Sequence, residues 1–194
     1  MRRTVALFLF DDVETLDFAG PYEVFSVADE LSGGCLFDVR TVAPKAGALR
    51  TVHGLRVLAE HGPGDCPRPD ILVIPGGAGT RALIRDSVII DWIRSCSAQA
   101  ELTMSVCTGA LLLAQAGLLG GLTVTTHHDV VGMLRKLAPS ALVVPGKRFH
   151  DNGRVLTAAG ISAGIDAALH VVARMAGGEM AERTSTYMEY ERGR

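Results

Sequence analysis

Thr4 to Phe10 is an almost unbroken apolar run that stops at Asp11-Asp12, the pattern of a parallel strand covered on both faces. Gly20-Pro21 predicts a helix opening, with Tyr22, Val24, Phe25 and Leu31 at its apolar positions and Gly33-Gly34 as its stop. Phe37–Ala43 reads as the next strand. Arg50-Thr51-Val52 and Leu55-Arg56-Val57-Leu58 flank His53-Gly54 as a hairpin would. Asp70–Pro75 is a second buried strand, closed by Gly76-Gly77-Ala78-Gly79, and a helix over about 88–100 turns Trp92 and Ile93 inward. Leu102 to Val106 then runs straight into Cys107-Thr108-Gly109-Ala110 and a leucine-rich helical pattern. Thr123–Thr126, a helix over about 129–137, a hairpin joining Phe149 to 154–158 across Asp151-Asn152-Gly153, and a helix over Ser162–Ala176 complete the series.

Strands alternating with helices predict an α/β fold with a mostly parallel sheet covered on both faces. Active sites in such folds form outside the carboxyl ends of the strands. Three loops meet that condition: Asp11–Asp17, Gly76–Gly79 and Cys107-Thr108. The chain shows no repeat, low-complexity tract or linker, so one domain over 1–194 is expected.

Composition narrows the function. The 194 residues carry a net charge of −2 with no basic run, which argues against nucleic-acid binding. The apolar stretch between Thr4 and Asp11 is too short for a signal-peptide core or a membrane span, so a cytoplasmic location is expected. The four cysteines Cys35, Cys66, Cys96 and Cys107 contain no Cys-x-x-Cys pair, which removes a zinc ribbon or thioredoxin-type motif. Cys35 and Cys96 read as small buried hydrophobes and Cys66 as a loop residue.

Cys107 is the leading chemical candidate. A thiol at a strand-to-helix turn meets unpaired N–H groups and the positive end of a helix dipole, which favour a thiolate nucleophile; the plain alternative is a packed core thiol. Asp17 can be an acid/base partner with a raised pKa or a simple helix cap, and Glu14, Asp11 and Asp12 compete for the same role. The Gly76–Gly79 loop lacks a P-loop lysine and a dinucleotide spacing; its N–H groups suit an oxyanion hole, or it is only a tight turn. Of His127-His128, at most one should reach a site, since neighbouring strand residues face opposite ways. No third ligand is spaced to complete a metal site with them. His53, His61, His150 and His170 read as structural.

At these residues the chain resembles the ThiJ/PfpI superfamily, cysteine-bearing relatives of class I glutamine amidotransferases. The resemblance rests on Phe8-Leu9-Phe10-Asp11, Leu16-Asp17-Phe18-Ala19-Gly20-Pro21-Tyr22-Glu23-Val24-Phe25, Ile74-Pro75-Gly76-Gly77-Ala78-Gly79 and Ser105-Val106-Cys107-Thr108-Gly109-Ala110. Thr125-Thr126-His127, Ala159-Gly160-Ile161-Ser162-Ala163-Gly164-Ile165-Asp166 and Met188-Glu189-Tyr190 extend it over nearly the whole chain. Within the superfamily the motifs look most like the bacterial isocyanide hydratases and the amidotransferase-like sensor domains of AraC-type regulators. Thr108 directly after the cysteine argues against the protease-like branch, which has histidine there. His128 departs from the hydratases, which tend to have tryptophan after the Thr-Thr-His segment.

The resemblance implies a flavodoxin-like three-layer sandwich, a homodimer, and chemistry without cofactor or metal. It implies Cys107 as nucleophile on a small electrophile such as an isocyanide, Asp17 as proton carrier, and Thr108 holding the Cys107–Asp17 geometry. Backbone groups of Gly77 and Thr108 would stabilise developing charge, and Ile161, His127 and His128 would contact substrate. A glyoxalase or deglycase acting on reactive carbonyls, and a non-catalytic redox or ligand sensor, are the other readings that this fold allows. The helix-turn-helix pair of the AraC-type sensors is not expected here.

Overall fold

The computed structural model describes residues 2–191. In chain order the elements are β1 (Arg3–Phe8), α1 (Thr15–Leu31), β2 (Phe37–Val42), β3 (Gly47–Arg50), β4 (Arg56–Ala59), β5 (Ile71–Ile74), α2 (Thr80–Leu83) and α3 (Ser87–Gln99). They continue with β6 (Leu102–Ser105), α4 (Gly109–Gln115), β7 (Thr123–Val124), a 3-10 turn (His128–Val130), α5 (Val131–Leu137), β8 (Leu142–Val143), β9 (Phe149–Asp151), β10 (Val155–Ala158), α6 (Ala163–Ala176) and α7 (Gly178–Tyr187).

Six strands form the central sheet in the order β2-β1-β5-β6-β10-β9. All neighbours are parallel except β9, which returns antiparallel on β10 with Thr157 opposite His150. Ile71-Leu72-Val73-Ile74 and Leu102-Thr103-Met104-Ser105 are buried along their whole length, as a sheet covered on both sides requires. Helices α1, α6 and α7 pack together on one side, and α4 with α2, α3 and α5 on the other. This is the three-layer, mostly parallel α/β sandwich that the strand–helix alternation predicts. The core runs through Phe8, Phe25, Ile93, Met104 and Leu111, each fully buried.

Several boundaries differ from the sequence reading. Helix α1 starts at Thr15, capped by Glu14, and carries Pro21 in its interior. Gly20-Pro21 is therefore not a helix opening. Gly20 is needed because α6 crosses there, and a Cβ at that position would lie 2.8 Å from Ile165 Cγ1. Thr123–Thr126 supplies only the two-residue β7, which pairs with β8 outside the central sheet. The β3–β4 hairpin forms around His53-Gly54, but its first strand is Gly47–Arg50, upstream of the expected one. Helix α7 is absent from the sequence reading because it buries only Ala181, Thr184 and Ser185 and so carries no apolar stripe.

The end of β5 and the start of α4 meet closely. A Cβ on Gly109 would lie 2.1 Å from the Ile74 carbonyl oxygen and 2.8 Å from that of Pro75. Backbone cannot yield there as a flexible side chain would. Gly109→Ala is expected to cost several kcal/mol, visible as a large drop in thermal midpoint or as insoluble protein. A melting curve within a degree or two of wild type would show that the β5–α4 contact is slack.

Candidate active site

Parallel β5 and β6 end side by side, with Ile74 opposite Ser105, and their following loops form the base of the site. Cys107 sits just past β6 in left-handed backbone, at φ 56. A residue with a side chain costs about 1 kcal/mol there, so the neighbours must hold it. Its N–H donates to the carbonyls of Ala158 and Ala159, at 3.2 and 3.0 Å, and its carbonyl accepts from Thr126 Oγ1 at 2.7 Å. The end of β10 and the segment after β7 thus fix the turn from outside it. Ile161, which follows β10, is also left-handed at φ 48, a rare state for a β-branched residue.

Asp17 lies in the first turn of α1 and is wholly buried. It is not the cap; Glu14 is, accepting from the Thr15 N–H at 3.2 Å. Asp17 Oδ2 accepts the Gly76 N–H at 2.9 Å, while Oδ1 is buried without a protein partner of ordinary hydrogen-bond geometry. The carboxyl also interacts with the Cys107 thiol and the Ile161 N–H. Burial is the main force pushing the Asp17 pKa up to about 7, with repulsion from Glu14 adding to it against the pull of the Gly76 N–H. Burial, and then the Asp17 charge, push the Cys107 thiol up to about 12. The Thr108 and Ile161 N–H groups act on the sulfur in the opposite direction but do not prevail.

Burial and the neighbouring carboxyl act against the thiolate that the turn geometry favours. The helix after Cys107 is only Gly109–Gln115, and its dipole is outweighed by burial and a neighbouring carboxylate. Burial thus favours the protonated form of both groups, the Cys107 thiol and the Asp17 carboxyl.

Thr108 is tied to the glycine loop rather than to the thiol. Its Oγ1 accepts the Gly77 N–H at 2.8 Å and donates to the Gly77 carbonyl at 3.2 Å. Thr80 Oγ1 donates to the same carbonyl at 2.8 Å. The Gly77 N–H, assigned from sequence to an oxyanion, is therefore already engaged. The N–H groups that face the sulfur are those of Thr108 and Ile161. Sequence reasoning had Ile161 only as a pocket wall, and its backbone role has no sequence signal. Thr108 reaches Asp17 indirectly, because the loop it braces presents the Gly76 N–H.

A cavity of about 250 Å³ opens over Cys107. Val52, Ala78, Val130 and Ile161 give it apolar surface, while Glu14, Arg81, His127 and Asp129 bring charge or polarity. Asp17 does not line it; it is buried and interacts with the thiol. His127 lines the cavity, and Gly160 leaves room for its ring, since a Cβ there would lie 2.5 Å from Cδ2. His128 stacks on His127 at 4.1 Å between ring centres and points out, its side chain 81% exposed. One histidine of the two thus reaches the cavity, although they sit at a 3-10 turn and not on a strand. Asp129 joins the pair, so the want of a third metal ligand does not hold. Asp11 and Asp12 stay outside: Asp11 Oδ1 accepts the Arg50 N–H at 2.9 Å. His170 is bonded to Asp151 at 2.7 Å, beside Arg174; Cys66 and Cys96 are partly buried against the core, whereas Cys35, read from sequence as a buried hydrophobe, is exposed just before β2.

A strained cysteine on the turn after a central parallel strand, backed by a buried carboxyl from the first helix, defines a cysteine-bearing α/β domain of the DJ-1/PfpI family, and the chain belongs to that family. The family's sequence pattern matches residues 3–174. Among curated proteins the chain is 35% identical to the isonitrile hydratase of Pseudomonas putida, over 98% of this chain and 79% of that protein. It is 26% identical to the HTH-type transcriptional regulator GbdR of Pseudomonas aeruginosa, over 98% of this chain but only about half (51%) of the regulator. Among solved structures, a ThiJ/PfpI family protein from Pseudomonas syringae superposes with a TM-score of 0.88 at 26% identity, over 100% of this chain and 77% of that one. Drosophila melanogaster DJ-1beta shares the fold, with a TM-score of 0.85 at 20% identity, over 98% and 100% of the two chains. Among the described residues no helix is long and apolar enough to cross a membrane.

Proposed function

We propose that this chain is a cysteine-dependent hydratase that converts isocyanides (isonitriles) to N-substituted formamides. The observation that carries the reading is the buried Asp17 carboxyl, with one oxygen unpartnered, interacting with the Cys107 thiol at the base of a small, partly apolar cavity. Similarity to the P. putida isonitrile hydratase over nearly the whole chain supports the substrate class.

In this mechanism Asp17 takes the Cys107 proton as the sulfur attacks the terminal carbon of R–NC. The same proton passes to that carbon and gives the thioimidate R–N=CH–S–Cys107. Water then adds across the C=N bond, its oxygen to carbon and one hydrogen to nitrogen. Collapse of R–NH–CH(OH)–S–Cys107 releases R–NH–CHO and returns the hydroxyl proton to the sulfur. Every atom is accounted for and no redox step occurs, so the chemistry needs no cofactor. The Thr108 and Ile161 N–H groups are placed to stabilise negative charge leaving or arriving at the sulfur. Glu14, Val52, Ile161 and His127 would contact the R group.

A second reading has one observation in its favour. Glu14 brings a glutamate carboxylate to the cavity that holds Cys107, as a glyoxalase or deglycase acting on reactive carbonyls would want near its thiol. The sensor alternative is opposed by the raised Cys107 thiol, since ready oxidation needs thiolate. The deciding experiment offers the protein an aryl isocyanide and methylglyoxal in parallel, following formamide and aldehyde. Formamide from the first alone supports the hydratase. Turnover of methylglyoxal alone replaces it with the carbonyl reading, and no turnover of either by folded protein overturns both.

The working unit in this reading is a one-domain, cytoplasmic homodimer. Phe18, Tyr22, Val57 and Leu58 line a groove in which Leu58 is 74% exposed, and apolar side chains grouped in this way mark an interaction surface more often than scattered ones do. Leu58→Asp is expected to shift the species seen in light scattering from dimer to monomer. A wild-type monomer at micromolar concentration would rule the dimer out.

A further inference from the structure

The His127-His128-Asp129 turn at the cavity edge gathers three donor side chains that the proton chemistry of Cys107 and Asp17 leaves unassigned. His128 Nε2 lies 3.1 Å from Asp129 Oδ1, and His127 Nδ1 lies 3.6 Å from Asp129 Oδ2. One donor atom from each of the three residues falls within 4.8 Å of the others. Tetrahedral zinc with bonds near 2.0–2.1 Å spaces its ligand atoms about 3.3 Å apart, between those two distances. The donors are two imidazoles and a carboxylate, a set suited to borderline divalent metals and poor for calcium or magnesium.

The turn is also partly built in advance. Packing of the His127 ring against Gly160 directs Cδ2 and Nε2 inward, which leaves Nδ1 on the Asp129 side. That Nδ1 accepts the Asp129 N–H at 3.3 Å, so the 3-10 turn holds it as a lone-pair donor. A long bond of this kind is lost cheaply to a metal. His128 and Asp129 have side chains 81% and 71% exposed, so their rotamers can adjust without disturbing the core.

We propose that His127 Nδ1, His128 Nε2 and the Asp129 carboxylate bind one zinc-class divalent cation at the rim of the Cys107 cavity. Three protein ligands leave a fourth position for water or a small anion. His127 and Asp129 line the same cavity as Cys107, so the bound ion partly closes the entrance. The site is then an inhibitory or gating one, not a catalytic one. The proposal does not depend on the hydratase reading, because binding is measured without turnover.

Zinc chloride is titrated calorimetrically into wild type and into Cys107→Ala, His128→Ala and Asp129→Asn, with cobalt(II) absorption recorded in parallel. The expected result is one micromolar site per chain in wild type and in Cys107→Ala, with no sulfur-to-cobalt charge-transfer band. His128→Ala and Asp129→Asn, both surface changes, should bind at least about tenfold more weakly with unchanged melting curves. Zinc binding that disappears in Cys107→Ala overturns the proposal, as does a sulfur-to-cobalt band, unchanged affinity in His128→Ala, or no binding by wild type.

Discussion

Cys107→Ala is expected to abolish formamide formation from an aryl isocyanide, by a factor of at least about 10⁴, the scale on which enzymes lose rate when their nucleophile is removed. The fold should tolerate the change. The turn is held by backbone bonds from Cys107 to Ala158 and Ala159 and by Thr126 Oγ1, none of which involves the sulfur. Wild type caught with a slowly hydrolysed isocyanide should gain the mass of one substrate on the peptide carrying Cys107, and the variant should gain none. Residual turnover above a hundredth of wild type, or an adduct on Cys66 or Cys96, would show that the thiol is not the nucleophile.

Asp17→Asn should move activity and stability in opposite directions. Loss of the base is expected to lower turnover about 10²–10⁴-fold. In wild type the same base implies a rate that climbs as pH rises through about 7, where Asp17 loses its proton. The folding linkage runs the other way. An acid whose pKa is higher folded than unfolded binds its proton more tightly in the native state. Its native state is therefore relatively favoured below about pH 4, and that advantage is lost as pH rises to about 7. Asparagine removes the penalty of the buried charge, which is at most about 4 kcal/mol for a shift of this size. Its amide N–H₂ pays part of it back by standing where Oδ1 has no partner. At pH 8 the variant should melt several degrees above wild type, and at pH 5 the gap should narrow. A variant less stable than wild type at pH 8 would mean that Asp17 is solvated or paired in solution.

The sequence disclosed the framework because the framework is written in apolar runs. Thr4–Phe10, Asp70–Pro75 and Leu102–Val106 are legible as buried strands, and all three lie together in the sheet. Cys107 is legible as the residue on the turn that follows. Other elements left no such mark. Helix α7 has no apolar stripe to read, and Gly20-Pro21 carries the signature of a helix start although Gly20 is there for contact with Ile165. The electrostatics of the site were also out of reach. Whether a helix dipole or burial decides the state of the thiol depends on how completely Asp17 and Cys107 are enclosed. The availability of the Gly77 N–H depends on where Thr108 Oγ1 turns, and the left-handed backbone of Ile161 follows from tertiary contacts alone.

The β3–β4 hairpin stands apart from the central sheet, yet the turn after β3 brings Val52 to the cavity and is anchored through the Val13–Thr51 bridge. None of its residues takes part in bonding Cys107 or Asp17. Insertions or exchanges around 52–54 can therefore reshape which substituents fit while the contacts of Cys107 and Asp17 stay in place. The hairpin tip is thus a selectivity element that the fold holds apart from its reactive core.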